Sequence, residues 1–438
     1  MSEKEYSFQK AYTLLPQSPL IHFQPDARGT SLRATEVKPK LDAFLMMRYQ
    51  KLHGEQLPGD WFNPAAKAHN LPALDYKLRI EQQKLLSAER LGIGTDYDIF
   101  YGNMVSAKDK KKPRSEPLTE KKGLMIEEKM TVICFKPDLM QWIDESIGEF
   151  FIVTNFGTMQ NKGFGSFLEK ETKYNAKEIA NLLTMYSGAK HCYSFRSDSQ
   201  TVFKKIKLMY AIIKSGVNLG EGKGMGGKNY IDSFLFDYVQ KELSKPIDHE
   251  KACVKASGVA PAVKKVGTTM RFNDKKQKDV PATLFDTDTE PPRKDPNYRY
   301  VRALFGIGKT VTYNDVNVPD GEPNKVNVKI EHDYKTDQMK EEDKIARFPS
   351  PVFFKIIHNN VYFVGTPIDD IIYGKTFIFS AEGRGKVSVR VPLKSELPAD
   401  FINDFMEYAF ARLTAFIHTR TRERAFKILN DVDLRRLV

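Results

Sequence analysis

The sequence predicts an α+β protein made of two ferredoxin-like, RRM-type domains that carry helical and loop insertions. The order strand, helix, strands, helix, strand can be read between residues 12 and 154, and that order defines a ferredoxin-like unit. Ser-Pro strands and basic glycine turns occur in both halves, at Ser18-Pro19 and Ser350-Pro351 and around Gly157 and Gly383, which suggests a duplicated unit without an exact repeat. The length, 438 residues, suffices for two domains that each bury a core.

Residues 12–23 read as the first strand, and Pro16 and Pro19 confine at least part of it to an edge or a bulge. A helix over 36–49 follows, because Leu41, Phe44, Leu45 and Arg48 recur at helical spacing, with Pro39 placed in its first turn. Residues 76–80 alternate as a short half-buried strand, and the charged, proline-interrupted stretch 108–122 is a loop. Residues 130–135 form the next strand, 138–147 an amphipathic helix, and the apolar run 150–154 a strand that empties into a glycine-rich loop.

In the second half, 176–186 and 199–214 are helical by periodicity, the latter carrying Lys204, Lys205 and Lys207. A second glycine-rich loop spans 216–228, and 229–243 returns to helix. Residues 258–297 combine proline, lysine and aspartate with few large apolar side chains and read as a long mobile insertion. Strands follow at 352–357 and 361–364 around an Asn359-Asn360 turn, then at 377–379 and 387–391 around the basic turn Gly383-Arg384-Gly385-Lys386, and a helix over 399–429 closes the chain. The predicted domains are 1–173, ending in the glycine-rich loop, and 174–438, with a helical insertion at 176–243 and the mobile one at 258–297.

The most informative stretch is Asn155-Phe156-Gly157-Thr158-Met159-Gln160-Asn161-Lys162-Gly163-Phe164-Gly165-Ser166-Phe167. Glycine there permits positive φ and close backbone approach, while Lys162 and the backbone NH groups present positive potential suited to phosphate. The plain alternative is a hairpin with a glycine bulge. Near the N-terminus, Ser18-Pro19-Leu20-Ile21-His22-Phe23 leads through Gly29-Thr30-Ser31-Leu32-Arg33 into the basic helix start at Lys38 and Lys40.

These two segments together resemble the RAMP superfamily of CRISPR effector subunits, in which an "SPL" strand precedes an "lRgts" helix start and a later loop reads "G-x-x-x-x-x-G-F-G-S". Within it the chain looks most like the large, two-domain subunit of the type III-B (Cmr) complex. The resemblance covers about the first forty residues, the loop at 150–167 and, more loosely, parts of the second half, where Tyr300 to Gly306 is similar to the family's "LFG" turn. It implies RAMP domains, a place at the end of the complex near the 3′ side of the guide RNA, and contact with target RNA and neighbouring RAMP subunits, in antiviral defence.

Bulk chemistry agrees with a polyanionic partner. Sixty-eight Lys plus Arg against 56 Asp plus Glu leave +12, and a basic surface attracts nucleic acid. Cys134, Cys192 and Cys253 fit neither a CxxC metal spacing nor a disulfide scheme, so a reducing cytoplasm is expected. No apolar stretch approaches the length of a membrane span, and residues 1–10 are too polar for a signal peptide.

The RNA-binding residues expected are Arg33, Lys38, Lys40, Gly157, Asn161, Lys162, Gly163, Phe164 and Gly165 in the first domain, with Lys223, Lys228, Arg384 and Lys386 in the second. Cations interleaved with aromatic rings hold single strands by backbone charge and stacking. Phe164 and Phe167 could instead pack in the core. No cofactor or metal site is expected, because the eight histidines show no HxH, HxxxH or HExxH spacing. Gly222 to Asn229 places Asn where a phosphate-binding loop needs a hydroxyl, and Gly308-Lys309-Thr310 lacks the upstream glycine.

No catalytic residue is assigned. His22 was weighed as an acid or base, since RAMP-fold endoribonucleases that process CRISPR transcripts use an early histidine, and Asp26 as a metal-dependent nuclease residue by analogy with the backbone subunits of type III complexes. Each reads first as structural. The rival functions are therefore a RAMP-fold endoribonuclease and a nucleic-acid-binding protein outside CRISPR.

Overall fold

The computed structural model describes residues 7–21, 30–69, 72–90, 122–198, 201–218, 230–243, 246–261, 263–273, 278–287, 296–314, 325–420 and 426–438. In chain order the elements begin with β1 (Gln9–Pro16), α1 (Ala34–His53), α2 (Pro64–Ala68), β2 (Lys77–Arg90), β3 (Lys122–Ile133) and α3 (Pro137–Val153). Next come β4 (Phe167–Glu169), α4 (Ala176–Ser187), β5 (Tyr193–Arg196), α5 (Val202–Lys214), β6 (Val217–Asn218), β7 (Tyr230–Ile231) and α6 (Phe234–Lys241). They continue with β8 (Asp248–His249), α7 (Glu250–Ala256), β9 (Val263–Asn273), β10 (Lys278–Thr287), β11 (Tyr298–Arg299), β12 (Thr310–Asn314) and β13 (Lys325–His332). The last are β14 (Val352–Ile357), β15 (Asn360–Gly365), β16 (Thr376–Ala381), β17 (Gly385–Arg390), α8 (Phe401–Arg420) and β18 (Arg435–Arg436). The chain is thus α+β, with several antiparallel sheets.

Two compact units emerge. The first joins Met1–Lys207, Val352–Thr366 and Ile428–Val438; the second joins Leu208–Pro351 and Pro367–Lys427. The first unit holds two four-stranded sheets, ordered β2-β3-β1-β4 and β14-β15-β5-β18, and every neighbouring pair in both is antiparallel. In the first sheet alternation puts Tyr12, Leu14, Met130 and Val132 on one face, where they meet Val37, Leu41, Phe44 and Leu45 of α1 and Ile143, Ile147 and Phe150 of α3 in one core. A second core gathers Ile179, Ala180 and Leu183 of α4 with Cys192, Ile357, Tyr362 and Val364.

Several expectations are corrected here. β1 lies between β3 and β4, so it is internal; Pro16 is its last residue and pairs with Phe167, which a proline at a strand end tolerates. Pro39 is in the second turn of α1, which begins at Ala34. The helical hydrogen bond it cannot make would end on Thr35, and both residues are exposed, so solvent can satisfy that carbonyl.

The predicted strand at 150–154 is the last turn of α3. Phe150 and Phe151 sit in the first core while Ile152 sits in the second. A helix end flanked by two cores is apolar all round and has the composition of a buried strand. The "helical insertion" at 176–243 contains strand β5, and 263–287, expected to lack regular structure, forms the two-stranded ladder β9–β10. The closing helix is described over Phe401–Arg420, and Lys427–Leu429, expected within it, is a separate 3-10 turn. The loops predicted at 108–122 and 216–228 fall mostly outside the described residues.

The second unit is built on the sheet β12-β13-β16-β17, with Tyr238, Phe401, Phe405 and Phe305 in edge and stacked contacts. Burial opposes ionisation of Glu250, but Arg302 and His249 beside it outweigh that and hold its pKa at about 2. Burial pushes Lys214 down to about 7; its ammonium donates to the carbonyls of Phe305 and Gly306 at 2.8 and 2.7 Å.

One buried acid in the first sheet yields a stability prediction. Glu128 points into the core from β3, accepts a hydrogen bond from the Leu32 backbone NH at 3.0 Å, and is pushed up to about 7 by burial. Its folded pKa exceeds the unfolded one, so the native state binds the extra proton between roughly pH 4.5 and 7 and stability falls as pH rises through that window. Glu128→Gln should match the wild type at pH 4 and exceed it by about 2 kcal/mol at pH 8 in urea denaturation. A difference that does not change with pH would refute the assignment.

Candidate functional site

The start of α1 and the glycine-rich loop meet through Lys40 and Glu36. The Lys40 ammonium donates to Glu36 Oε1 (3.1 Å), the Asn155 carbonyl (2.9 Å) and Gln160 Oε1 (2.7 Å), and lies 4.9 Å from the Phe156 ring centroid. Glu36 in turn accepts from the Gly157 backbone NH at 2.7 Å. Lys38 donates to Asp42 (2.8 Å) and the Leu74 carbonyl (3.0 Å) and stands 4.1 Å from the Tyr76 ring centroid. Arg33, the N-cap residue of α1, is half-buried and reaches Thr30 Oγ1 at 3.5 Å.

The loop itself is closed on the protein. Phe156 NH donates to the Gly165 carbonyl, Thr158 NH to Ile21, Gly163 NH to Gln160 and Gly165 NH to Pro19, all at 2.8–3.2 Å. Ser166 NH donates to Ser18 Oγ at 2.8 Å. These NH groups are engaged internally and not turned outward, which argues against a phosphate cradle formed by them. The loop needs glycine for a packing reason: Gly157, Gly163 and Gly165 have φ of +74°, +84° and +64°, and a Cβ at Gly165 would sit 1.9 Å from the Phe156 carbonyl oxygen.

Lys162 and Phe164 are likewise turned inward. The Lys162 ammonium is shielded from solvent, 6.0 Å from the Phe354 ring centroid. Phe164 is fully buried and stacks on Phe203 at 3.7 Å. The Asn161 carbonyl accepts from the Phe354 NH at 3.1 Å. The loop is a clamp between the two sheets of the first unit, with Lys40, Lys162 and Phe164 turned into it, while Lys38 is tied to Asp42 and Leu74.

The residue that completes the clamp was not foreseen. Lys355 of β14 is wholly buried, and its ammonium donates to the carbonyls of Phe151 (2.6 Å) and Thr154 (2.8 Å), to Asn155 Oδ1 (3.1 Å) and to the Phe167 carbonyl (3.4 Å). It caps the C-terminal end of α3, where the helix dipole favours a cation. Burial nonetheless pushes its pKa well below the usual lysine range. Asn155 Nδ2 reaches the Gln160 and Phe354 carbonyls (2.7 and 2.8 Å), and Ser166 Oγ reaches the Ile356 carbonyl (2.7 Å). The signal was present as one lysine inside the apolar run Val-Phe-Phe-Lys-Ile-Ile.

Of the other expected site residues, Arg384 and Lys386 are exposed at the turn between β16 and β17 of the second unit, where Gly383 and Gly385 take positive φ. Lys223, Lys228, His22 and Asp26 lie outside the described residues. Among the described residues no group of three His, Cys, Asp or Glu side chains is placed to hold a metal ion, and no helix is long and apolar enough to cross a membrane.

Two family models match consecutive stretches of the chain. The Cmr1 N-terminal domain model matches residues 8–217 and the Cmr1 C-terminal domain model matches 230–433. The architecture and these matches define a subunit of a type III-B CRISPR effector complex. The chain belongs to the Cmr1 family. No curated protein matches it. Among solved structures it aligns with Cmr1 from Pyrococcus furiosus in its apo form at 10% identity, over 47% of this chain and 71% of that one, with a TM-score of 0.28, too low to support any argument. The expected resemblance is borne out, and a role outside CRISPR is set aside.

Proposed function

We propose that the chain is an RNA-binding, structural subunit of the type III-B effector complex that engages guide RNA, target RNA or both beside other Cmr subunits in the cytoplasm, without catalysing RNA cleavage. The observation that carries it is membership in the Cmr1 family across both halves; the net charge of +12 supports a polyanionic partner. The strand order 2-3-1-4 with antiparallel neighbours, on a β-α-β-β-α-β succession, supports reading the first sheet and its helices as a ferredoxin-like RAMP domain. The first domain, 1–173, contains β1 to β4. The second, 174–438, repeats the order as β5, α5, β14, β15, α8 and β18, with the strands β6 to β13 and β16–β17 inserted. In it Arg384 and Lys386 are exposed cations suited to phosphate, and Lys223 and Lys228 are proposed for the same role; Arg33 is the first-domain cation nearest to it.

The purified protein should bind single-stranded RNA with an affinity that falls as salt rises, by roughly 0.7 in the log-log slope per phosphate contact, and should leave it intact with or without magnesium. Filter binding over a salt series with a gel assay of the same mixtures checks both. Absence of binding would refute the reading. Clean cutting of a repeat-containing transcript that disappears in a folded His22→Ala variant would favour the endoribonuclease.

A further inference from the structure

The first sheet leaves one end of its outer face uncovered among the described residues. Phe135, which follows β3, is 75% exposed, and Phe8, which precedes β1, is 51% exposed. The two rings stack in parallel, 5.5 Å apart with 13° between planes, and the Cys134 NH donating to the Phe8 carbonyl at 2.9 Å holds their backbones together. Two stacked rings left in water forgo the free energy that burial would provide, so such a pair marks a contact site.

The register shows what adjoins them. Cross-strand rows Gln9–Ile133–Lys77, Ala11–Thr131–Arg79 and Thr13–Lys129–Glu81 run across this face, opposite the core residues Tyr12, Met130 and Val132. Lys77, Arg79 and Lys129 are exposed cations, and the only carboxylate in the three rows is Glu81, paired with Arg79 at 2.8 Å. Small side chains at Ala11 and Thr13 keep the floor beside the rings and cations low, with Thr131 buried among its neighbours. A protein partner would favour a continuous apolar patch with charge confined to its rim; rings beside a net positive, shallow floor suit bases joined by phosphates.

We propose that the Phe8–Phe135 pair with Lys77, Arg79 and Lys129 is a platform for single-stranded RNA, with a base stacked on the open face of Phe135 and phosphates along the cations. This rests on the RNA-binding reading above and names its surface. Fluorescence anisotropy with a short labelled polyuridine strand tests it. Phe135→Ala should weaken binding about tenfold, and Phe135→Trp should retain it with RNA-dependent quenching of the added indole. Joint replacement of Lys77, Arg79 and Lys129 by alanine should reduce the salt slope by about 2. These residues are on the surface, and circular dichroism confirms that each variant is folded. If the wild type binds and all three variants bind equally with the same slope, the platform is wrong while RNA binding stands. If the wild type does not bind, the reading and the platform fall together. Variants that bind RNA normally but no longer co-assemble with other Cmr subunits would make the patch a protein-docking surface and overturn the proposal.

Discussion

Gly165→Ala should cost about 3 kcal/mol or more of folding free energy, or leave the protein insoluble. Two effects combine at this position. A φ of +64° strains any L side chain by about 1–2 kcal/mol, and the new Cβ would lie 1.9 Å from the Phe156 carbonyl oxygen. That carbonyl cannot withdraw easily, because the Phe156 NH is bonded to Gly165 itself at 3.0 Å. Gly383→Ala separates the effects: φ is +70° but nothing lies within 4 Å of the added carbon, so it should cost only about 1 kcal/mol. Urea denaturation of both variants gives the comparison, and equal losses would show that the loop can relax around a methyl group.

Lys355→Met should destabilise the first unit by about 2–4 kcal/mol at pH 7, because it keeps the stem's volume while orphaning the buried carbonyls of Phe151 and Thr154. The pH dependence has a definite sign. Burial lowers the folded pKa of Lys355 below its unfolded value, so between the two the unfolded chain binds more protons and wild-type stability rises with pH. The variant lacks this contribution, so the wild-type advantage should widen from pH 7 toward 10, where the unfolded lysine begins to titrate. Paired chemical denaturation at both pH values measures it. A constant gap would mean that the carbonyls hold the ammonium charged throughout.

Legibility in the sequence followed contact range. The amphipathic period of α1, the alternation at 76–80 and the turn between β14 and β15 are local signals, and each marked a real element, although the strand at 76–80 extends into the longer β2 and the turn falls at His358 and Asn359 instead of Asn359-Asn360. The two-residue strand β18 and the four-residue β5 were not legible, since each pairs with a segment far away and carries almost no pattern of its own. The last turn of α3 was misread because burial against two cores erased its period. At the site, the glycine loop was legible as a distinct basic segment. Its purpose was not: a lysine beside glycines has the same composition whether it faces a phosphate or, as Lys40 does, three oxygens of its own chain.

The discontinuity of the first unit bears on how the chain is made. β5 is complete at Arg196, yet its partners β15 and β18 end at Gly365 and Arg436. During synthesis the first sheet, whose strands are all present by Glu169, can close while the ribosome is still translating. β5 then waits with both edges unpaired until β15 is made, a state in which a strand is open to wrong partners. The edge of β5 that meets β18 stays open longer still, so the second sheet closes well after the first and is the part of the unit exposed longest to wrong pairing.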